Sequence, residues 1–283
     1  LSRIVGTPGF GGNLEIATGG SVRVLRSHQI PDSSSITMSG GGLYLDLDSG
    51  VSSTSETIGA LNIQGPSIVN VGSPNVLSLG GNITCSDSST ANVGFTAASG
   101  AQINFAGATR TFAVPNASSF VDFSGLVTNG GSNAGLTKTG AGRLKFFNSN
   151  ELAGAFVING GLFEIITMGG LGTTTGGTTI GAGATLLLPG GIVPPAESMS
   201  LSGSIATRPG VSAEIQGNIT LSGSPSLSCN GGNTLKLSGI VSGNPSEVKV
   251  VEGFVELAGS SPNSYTGLTR IMSGDFATLI LNK

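Results

Sequence analysis

Residues 138–143 read Lys-Thr-Gly-Ala-Gly-Arg, and each half of that string could do chemistry. Lys138-Thr139-Gly140 has the form of the Lys-Thr-Gly that works with Ser-x-x-Lys and Ser-Asp-Asn in serine acyl-transferases acting on β-lactams. Gly140-Ala141-Gly142-Arg143 has the form of a glycine-rich turn that cradles phosphate on backbone N–H groups. Both readings fail on context. Ser246 to Lys249 is a Ser-x-x-Lys, yet it follows Lys138 by more than a hundred residues and lies in strand-like sequence, where the nucleophile should open a helix. Ser-Asp-Asn is missing, and Ser86-Asp87-Ser88 does not replace it. A phosphate loop needs Gly-x4-Gly-Lys-Ser/Thr; Gly130 and Gly135 have the spacing, but Leu136 follows and no helix begins there.

The other ionisable residues are sparse. His28 is the single histidine, so a Ser-His-Asp triad would have to use it. In LRSHQIPD, with Asp32 four residues on, it reads as a loop or surface residue. A zinc site built from several histidines is excluded. Asp46 and Asp48 in LYLDLDSG share one side of a strand, opposite Leu43, Leu45 and Leu47. Paired carboxylates on a sheet can hold Ca²⁺ or, converging with Asp32 and with Arg23 or Arg26, hydrolyse a polysaccharide. Fifteen acids scattered over 283 residues read instead as solvated surface. No catalytic, cofactor-binding or metal-binding residue is assigned, and no cofactor is expected. The net charge is −3 and the 12 Lys and Arg do not cluster, so the basic footprint of nucleic-acid binding is missing. No apolar run approaches the ~18 residues of a membrane span. Three N-glycosylation sequons, at Asn82, Asn116 and Asn218, read as chance.

What could position any of these groups is a chain of short strands. Charged residues are 10% of the sequence, against about 25% in an ordinary domain, while mean hydropathy is +0.28. That balance is the opposite of disorder. Two-residue alternation recurs at Leu14/Ile16, Leu61/Ile63, Leu77/Leu79, Ile103/Phe105, Leu144/Phe146 and Phe156/Ile158. A motif of apolar-x-apolar-x-Gly closes at Gly65, Gly107, Gly125, Gly203, Gly223, Gly239 and Gly259, with gaps of 18, 20, 16 and 20 residues. Such a helix-free repeat predicts a solenoid whose coils lay two or three short strands on the coil before. Coils of roughly 18 residues would number about 16 and make a rod roughly 75 Å long. A β-sandwich also has short strands and Gly-rich turns. It would usually carry more aromatics and less Gly, and at this length two domains, yet no linker stands out.

Two segments resemble each other. GLTKTGAGRLKFFNSNELAGAFVINGGLFEI spans 135–165, and EVKVVEGFVELAGSSPNSYTGLTRIMSGDFATLIL spans 247–281. Lys138 aligns with Lys249, Gly142 with Gly253, Gly154 with Gly267, Ile158 with Ile271 and Gly161 with Gly274. Both are similar to the passenger-associated β-strand repeat of bacterial autotransporters, L-x-K-x-G-x-G-x-L-x-L-x-G followed by Y-x-G-x-T-x-V and G-x-L-x-L. SPNSYTGLTRI carries the middle of that pattern, whereas the first copy has Leu152-Ala153-Gly154 in place of Tyr-x-Gly. The resemblance implies an all-β, right-handed parallel β-helix over residues 1–283 as a single elongated domain. It implies export to the outer face of a Gram-negative envelope, with a C-terminal β-barrel delivering the passenger. No barrel sequence is present here, and the opening Leu1-Ser2-Arg3 suits a piece of a longer chain.

The reading is an extracellular structural or adhesive solenoid, not an enzyme, displayed on the surface or stacked head to tail into a fibre. Its partners would be a surface or glycan receptor, or another copy through the solenoid ends. The alternative is a polysaccharide-acting enzyme on the same scaffold. Cys85 and Cys229 share parity with Ile83 and Leu227, so both should be buried thiols. About eight coils, or nearly 40 Å, would part them, far beyond disulfide reach. Lys138 and its aligned Lys249 have no role that the sequence explains.

Overall fold

The computed structural model describes residues 8–86, 92–129, 131–173, 175–193, 197–273 and 275–283. Asp87, Ser88, Gly130 and Gly274 lie outside the described residues.

The alternating stretches become strands of three to six residues, and every strand pairing is parallel. Parallel pairing follows from the chain's shape. Each strand turns a corner, the chain travels around the perimeter, and it returns one layer higher. Strand spacing then equals coil spacing, about 4.8 Å. Four sheets result. Sheet 1 has eleven strands, from Leu14–Ile16 to Val241–Gly243, and sheet 2 has twelve, from Ser21–Val24 to Leu268–Ile271. Sheet 3 has four strands, between Ser55–Ile58 and Leu126–Thr128. Sheet 4 has five, from Gly191–Val193 to Thr278–Asn282. The fold is therefore a β-solenoid of about twelve coils, roughly 55 Å long. Among the described residues the one helical turn is Met168–Leu171.

The coil count corrects the estimate of sixteen. Strands of sheet 1 start at Leu14, Ile36, Leu61 and Ile83, and later at Met199, Ile219 and Val241, so a coil takes 20 to 25 residues in these stretches. The closing glycines misled because they end strands on different faces. Gly203 and Gly223 both close sheet 1 strands, Gly125 a sheet 2 strand, and Gly239 and Gly259 sheet 4 strands. Gaps of 16 and 18 residues measure from one face to another, not once around.

Inward residues stack in columns. In sheet 2, Val69, Phe95, Phe123 and Phe146 sit on consecutive coils. Phe95 and Phe123 are stacked at 4.2 Å, and Phe112 and Phe146 pack on Phe123 at 5.3 and 5.2 Å. The aromatic stretch continues through Phe163 and Phe156. It begins on coils that carry sheet 3 and runs into the section where sheet 3 has ended and sheet 4 has not begun, between Thr128 and Gly191. Coils there have two strands, and irregular chain closes them: Glu151 N donates to Val127 O, and Thr173 N donates to Leu152 O. Phe146, Phe156 and Phe163 thus occupy a part of the core that lacks a third wall.

Phe123 touches three rings on the last coil that carries a sheet 3 strand. Phe123→Ala should cost about 3–5 kcal/mol in urea unfolding, whereas Thr179→Ala on an exposed strand position should cost under about 0.5 kcal/mol. Equal costs would overturn the view that the ring column holds the middle of the rod.

Candidate functional site

The Lys-Thr-Gly motif closes a sheet 1 strand, Leu136–Thr139, and turns a corner. Gly140 has φ of 80°, and a Cβ there would overlap the backbone of Val114 one coil below. The glycine is required by stacked corners, not by a phosphate. Lys138 points inward and is completely buried. Its ammonium donates to three carbonyls: Thr139 O at 3.1 Å, Gly140 O at 2.7 Å and Gly160 O at 2.9 Å. Two of these belong to its own corner and one to the next. Three donors and no acceptor suit a lysine to this task. Burial pushes its pKa down to about 8.

Lys249 is not its counterpart. Lys138 pairs across coils with Ile158, but Ile271, which aligns with Ile158, pairs with Val250. The corner before the glycine is one residue shorter in the second copy: Lys138 lies four residues before Gly142, and Val250 three before Gly253. Counting back from Gly253 therefore lands Lys249 on the outward side, where it meets Glu247 at 3.6 Å. Val250 takes the core position. The second copy's Tyr-x-Gly-x-Thr has a plain explanation too. Tyr265 packs against the core with its hydroxyl 3.0 Å from Thr269 Oγ1, and Gly267, at φ of 99°, leaves room for Pro245 O. Leu152 fills the matching place in the first copy and is buried.

Asp46 and Asp48 do not converge on a common point. Asp46 pairs with Arg23 and Asp48 with Arg26 at 2.8 Å, each arginine one coil below its acid. The Arg26 hydrogen bond holds the Asp48 carboxyl below its ordinary range. The strand ends at Leu45, so Leu47 is exposed rather than buried. His28 is exposed on a loop with φ of 57°. Ser246 bonds Gly223 O at 2.8 Å along the stack. The three sequon asparagines are corner residues: Asn82 and Asn218 accept backbone N–H groups of the next coil, from Thr111 and Ile240, and Asn116 accepts from Ser118.

Carboxyls pushed upward, as a general acid requires, occur only inside the core among the described residues. Glu56 is fully buried and rises to about 7 through desolvation, though Gln29 N donates to it at 2.7 Å. It stands at the first strand of sheet 3, where no strand lies below, and its oxygens accept N–H groups of the underlying loop in place of a strand. Glu197 is buried and raised for the same reason, accepting Thr178 Oγ1 at 2.6 Å. Neither Glu56, Lys138 nor Glu197 announces its burial by composition. Glu56 and Lys138 do sit on the inward parity of their strands, which is the signal that could have found them.

Three outer surfaces carry polar or charged side chains in register from coil to coil. Thr179, Ser200, Thr220 and Ser242 form one outward column on sheet 1, one per coil. On sheet 4, Glu214, Lys236 and Glu256 line a groove of about 360 Å³. The Ser238 hydroxyl holds the Glu214 carboxyl below its usual range, so it remains ionised and cannot protonate a leaving group. On sheet 2, the Glu164 carboxylate, almost wholly shielded, meets Arg143 at 3.6 Å, Lys145 at 3.5 Å and Arg208 at 3.3 Å. Among the described residues no three His, Cys, Asp or Glu side chains gather as a metal would need. Cys85 and Cys229 are both buried thiols, as their parity predicted. Six coils separate them rather than eight, about 30 Å, still outside disulfide reach.

Comparison with known proteins gives one informative match. Over 185 residues, 64% of the chain, the sequence is 32% identical to the adhesin BmaC autotransporter of Brucella suis biovar 1 (strain 1330). The chain spans only 5% of that relative's length. No family model matches, and no solved structure matches. The resemblance to autotransporter passengers, read from the two repeat segments, is borne out by this relative together with the β-solenoid.

Two pH dependences follow from the buried groups. Glu56 is raised above its unfolded value of 4.5, so its contribution is full below pH 4.5 and is lost as pH rises through about 7. Lys138 is lowered from 10.5 to about 8, so the unfolded chain binds more protons between those values and stability rises with pH there. Urea midpoints compared between wild type and Lys138→Met should shift in favour of wild type by up to about 3 kcal/mol from pH 7 to pH 10.5. A constant difference over that range would show that Lys138 does not carry a perturbed charge.

Proposed function

We propose that this chain is a segment of an extracellular adhesive solenoid displayed on the outer face of a Gram-negative envelope. The observation that carries the reading is the 185-residue match to an autotransporter adhesin on a chain that folds as a parallel β-solenoid. Physical features support it. The core is a continuous cluster of apolar residues, and the outward positions lie outside it. Those positions carry hydroxyl columns and ion pairs spaced by the coil repeat, a pattern suited to an extended surface contact. Adhesion through many weak contacts gains from such repetition.

The polysaccharide-enzyme reading is weaker on chemistry. Its carboxylates, Asp46 and Asp48, are each neutralised by an arginine, and the groove acid Glu214 is held ionised. We therefore read the chain as non-enzymatic. In the fibre reading, copies stack head to tail. Such stacking would engage exposed Leu268, Ile271 and Leu281. Filaments in electron microscopy, lost in Leu281→Lys, would support stacking; a monodisperse monomer at high concentration would end it.

Beads coated with the chain should adhere to epithelial cells or extracellular-matrix coatings several-fold more than beads coated with an unrelated β-solenoid. Equal retention on every surface would overturn the adhesive reading.

A further inference from the structure

The corner between sheets 1 and 2 leaves a recess of about 260 Å³ beside the Glu164 ion cluster. Its floor is one outward column of sheet 2, with Phe120, Arg143 and Leu162 on consecutive coils. Ala117, Ser118 and Ala141 form its rim. The volume lies below the ~300–1,000 Å³ of a drug-sized pocket, and fits one sugar ring.

Arg143 is the chemically distinct feature. Its guanidinium lies over the Phe120 ring, 4.9 Å from the ring centre. Asp122 and Glu164 flank it, each at 3.6 Å. That distance gives Coulombic attraction but exceeds a hydrogen bond. Its Nε is shielded from solvent and, like Asp122 Oδ1, has no hydrogen-bond partner among the described residues, so a ligand would meet the outer end of the guanidinium. Nη1 and Nη2 make only the longer contacts to the two acids, and that end of the planar fork can grip a carboxylate at two points. The two flanking acids do not repel such a ligand outright, because Lys145 and Arg208 join Arg143 on Glu164 and leave three cations against two carboxylates. The remaining walls match a sugar. Phe120, Leu162 and the two alanines can face ring C–H groups. The Ser118 hydroxyl, which donates to Asn116 Oδ1 at 3.0 Å, keeps lone pairs to accept from a sugar hydroxyl.

We propose that this recess binds the carboxylate-bearing ring of an acidic sugar, with Arg143 holding the carboxylate and Phe120 and Leu162 the ring. The proposal rests on the adhesive reading and gives it a receptor chemistry. Uronates and sialates share that chemistry.

The test is calorimetric titration of the whole chain with glucuronate, N-acetylneuraminate and uncharged glucose. At least one acid should bind ten-fold or more tightly than glucose, and added salt should weaken the acid alone. Arg143→Gln should lower acid affinity at least ten-fold with an unchanged circular dichroism spectrum. If that variant fails to fold, Arg143→Lys, which keeps the charge but loses the fork, should weaken binding at least three-fold. Glucuronate and N-acetylneuraminate together tell which source supplies the ligand. Acid binding no tighter than glucose, no binding by any sugar, or full affinity in the folded Arg143 variant would each overturn the proposal. Bead adhesion separates this from the wider reading. Adhesion that survives in Arg143→Gln, with no acid binding, sinks the recess and leaves the adhesin. Acid binding without adhesion does the reverse.

Discussion

The constraint on which this molecule depends is the parallel hydrogen-bond ladder between coils. It fixes the rise at about 4.8 Å and places each side chain above its partner one coil below. Identity or similarity at one coil distance then becomes a physical column. Val121, Leu144, Phe163, Leu186, Ile205, Leu227 and Val250 form such a column through the core of sheet 2. A solenoid has no central core to compensate for a bad column, because each coil contacts mainly its neighbours. Where the wall changes, the column must change. Phenylalanines enter the core of sheet 2 as sheet 3 comes to its end, and Leu, Ile and Val return in the coils built on sheet 4.

The same constraint explains which parts were legible. Alternation marks individual strands well, since one face of each must be buried, and the strand positions at Leu61–Ile63, Val76–Leu79 and Arg143–Phe146 follow it. Coil length was not legible from closing glycines, because any corner may need one. Gly125, Gly203 and Gly239 relieve the same steric problem on three different faces. Pairing by motif also failed locally. The corner ahead of Gly253 is one residue shorter than the one ahead of Gly142, and a one-residue slip exchanges inside and outside. Lys138 and Lys249 look equivalent in one dimension and face opposite ways in three.

The buried ionisable groups lie where the ladder is imperfect. Corners and sheet ends leave carbonyls or N–H groups that no strand satisfies, and a buried unpaired backbone group is costly. Glu56 serves the N–H groups of Gln29 and Ile30 beneath the first strand of sheet 3. Asn75, fully buried, links Thr54 N and Leu45 O across another such gap. Lys138 does the converse for corner carbonyls. Their identity follows from whether a donor or an acceptor is lacking, which depends on tertiary stacking and cannot be read from a strand's own residues.

Surface chemistry is governed by the same geometry, but with different freedom. An outward residue has neighbours one coil up and one coil down, and its loss leaves the core column intact. Ion pairs thus form along the rod axis: Arg23 with Asp46, Arg143 with Asp122 and Glu164, Lys236 with Glu214, and Arg270 with Glu247 all join adjacent coils. Each pair is worth little alone when exposed. Together they tie coils without fixing which partner the face will meet. The corner beside Arg143 is looser: its carboxylates stand 3.6 Å away, where Arg26 meets Asp48 at 2.8 Å. A scaffold selected only for stiffness would close that gap with a shorter ion pair or an apolar side chain.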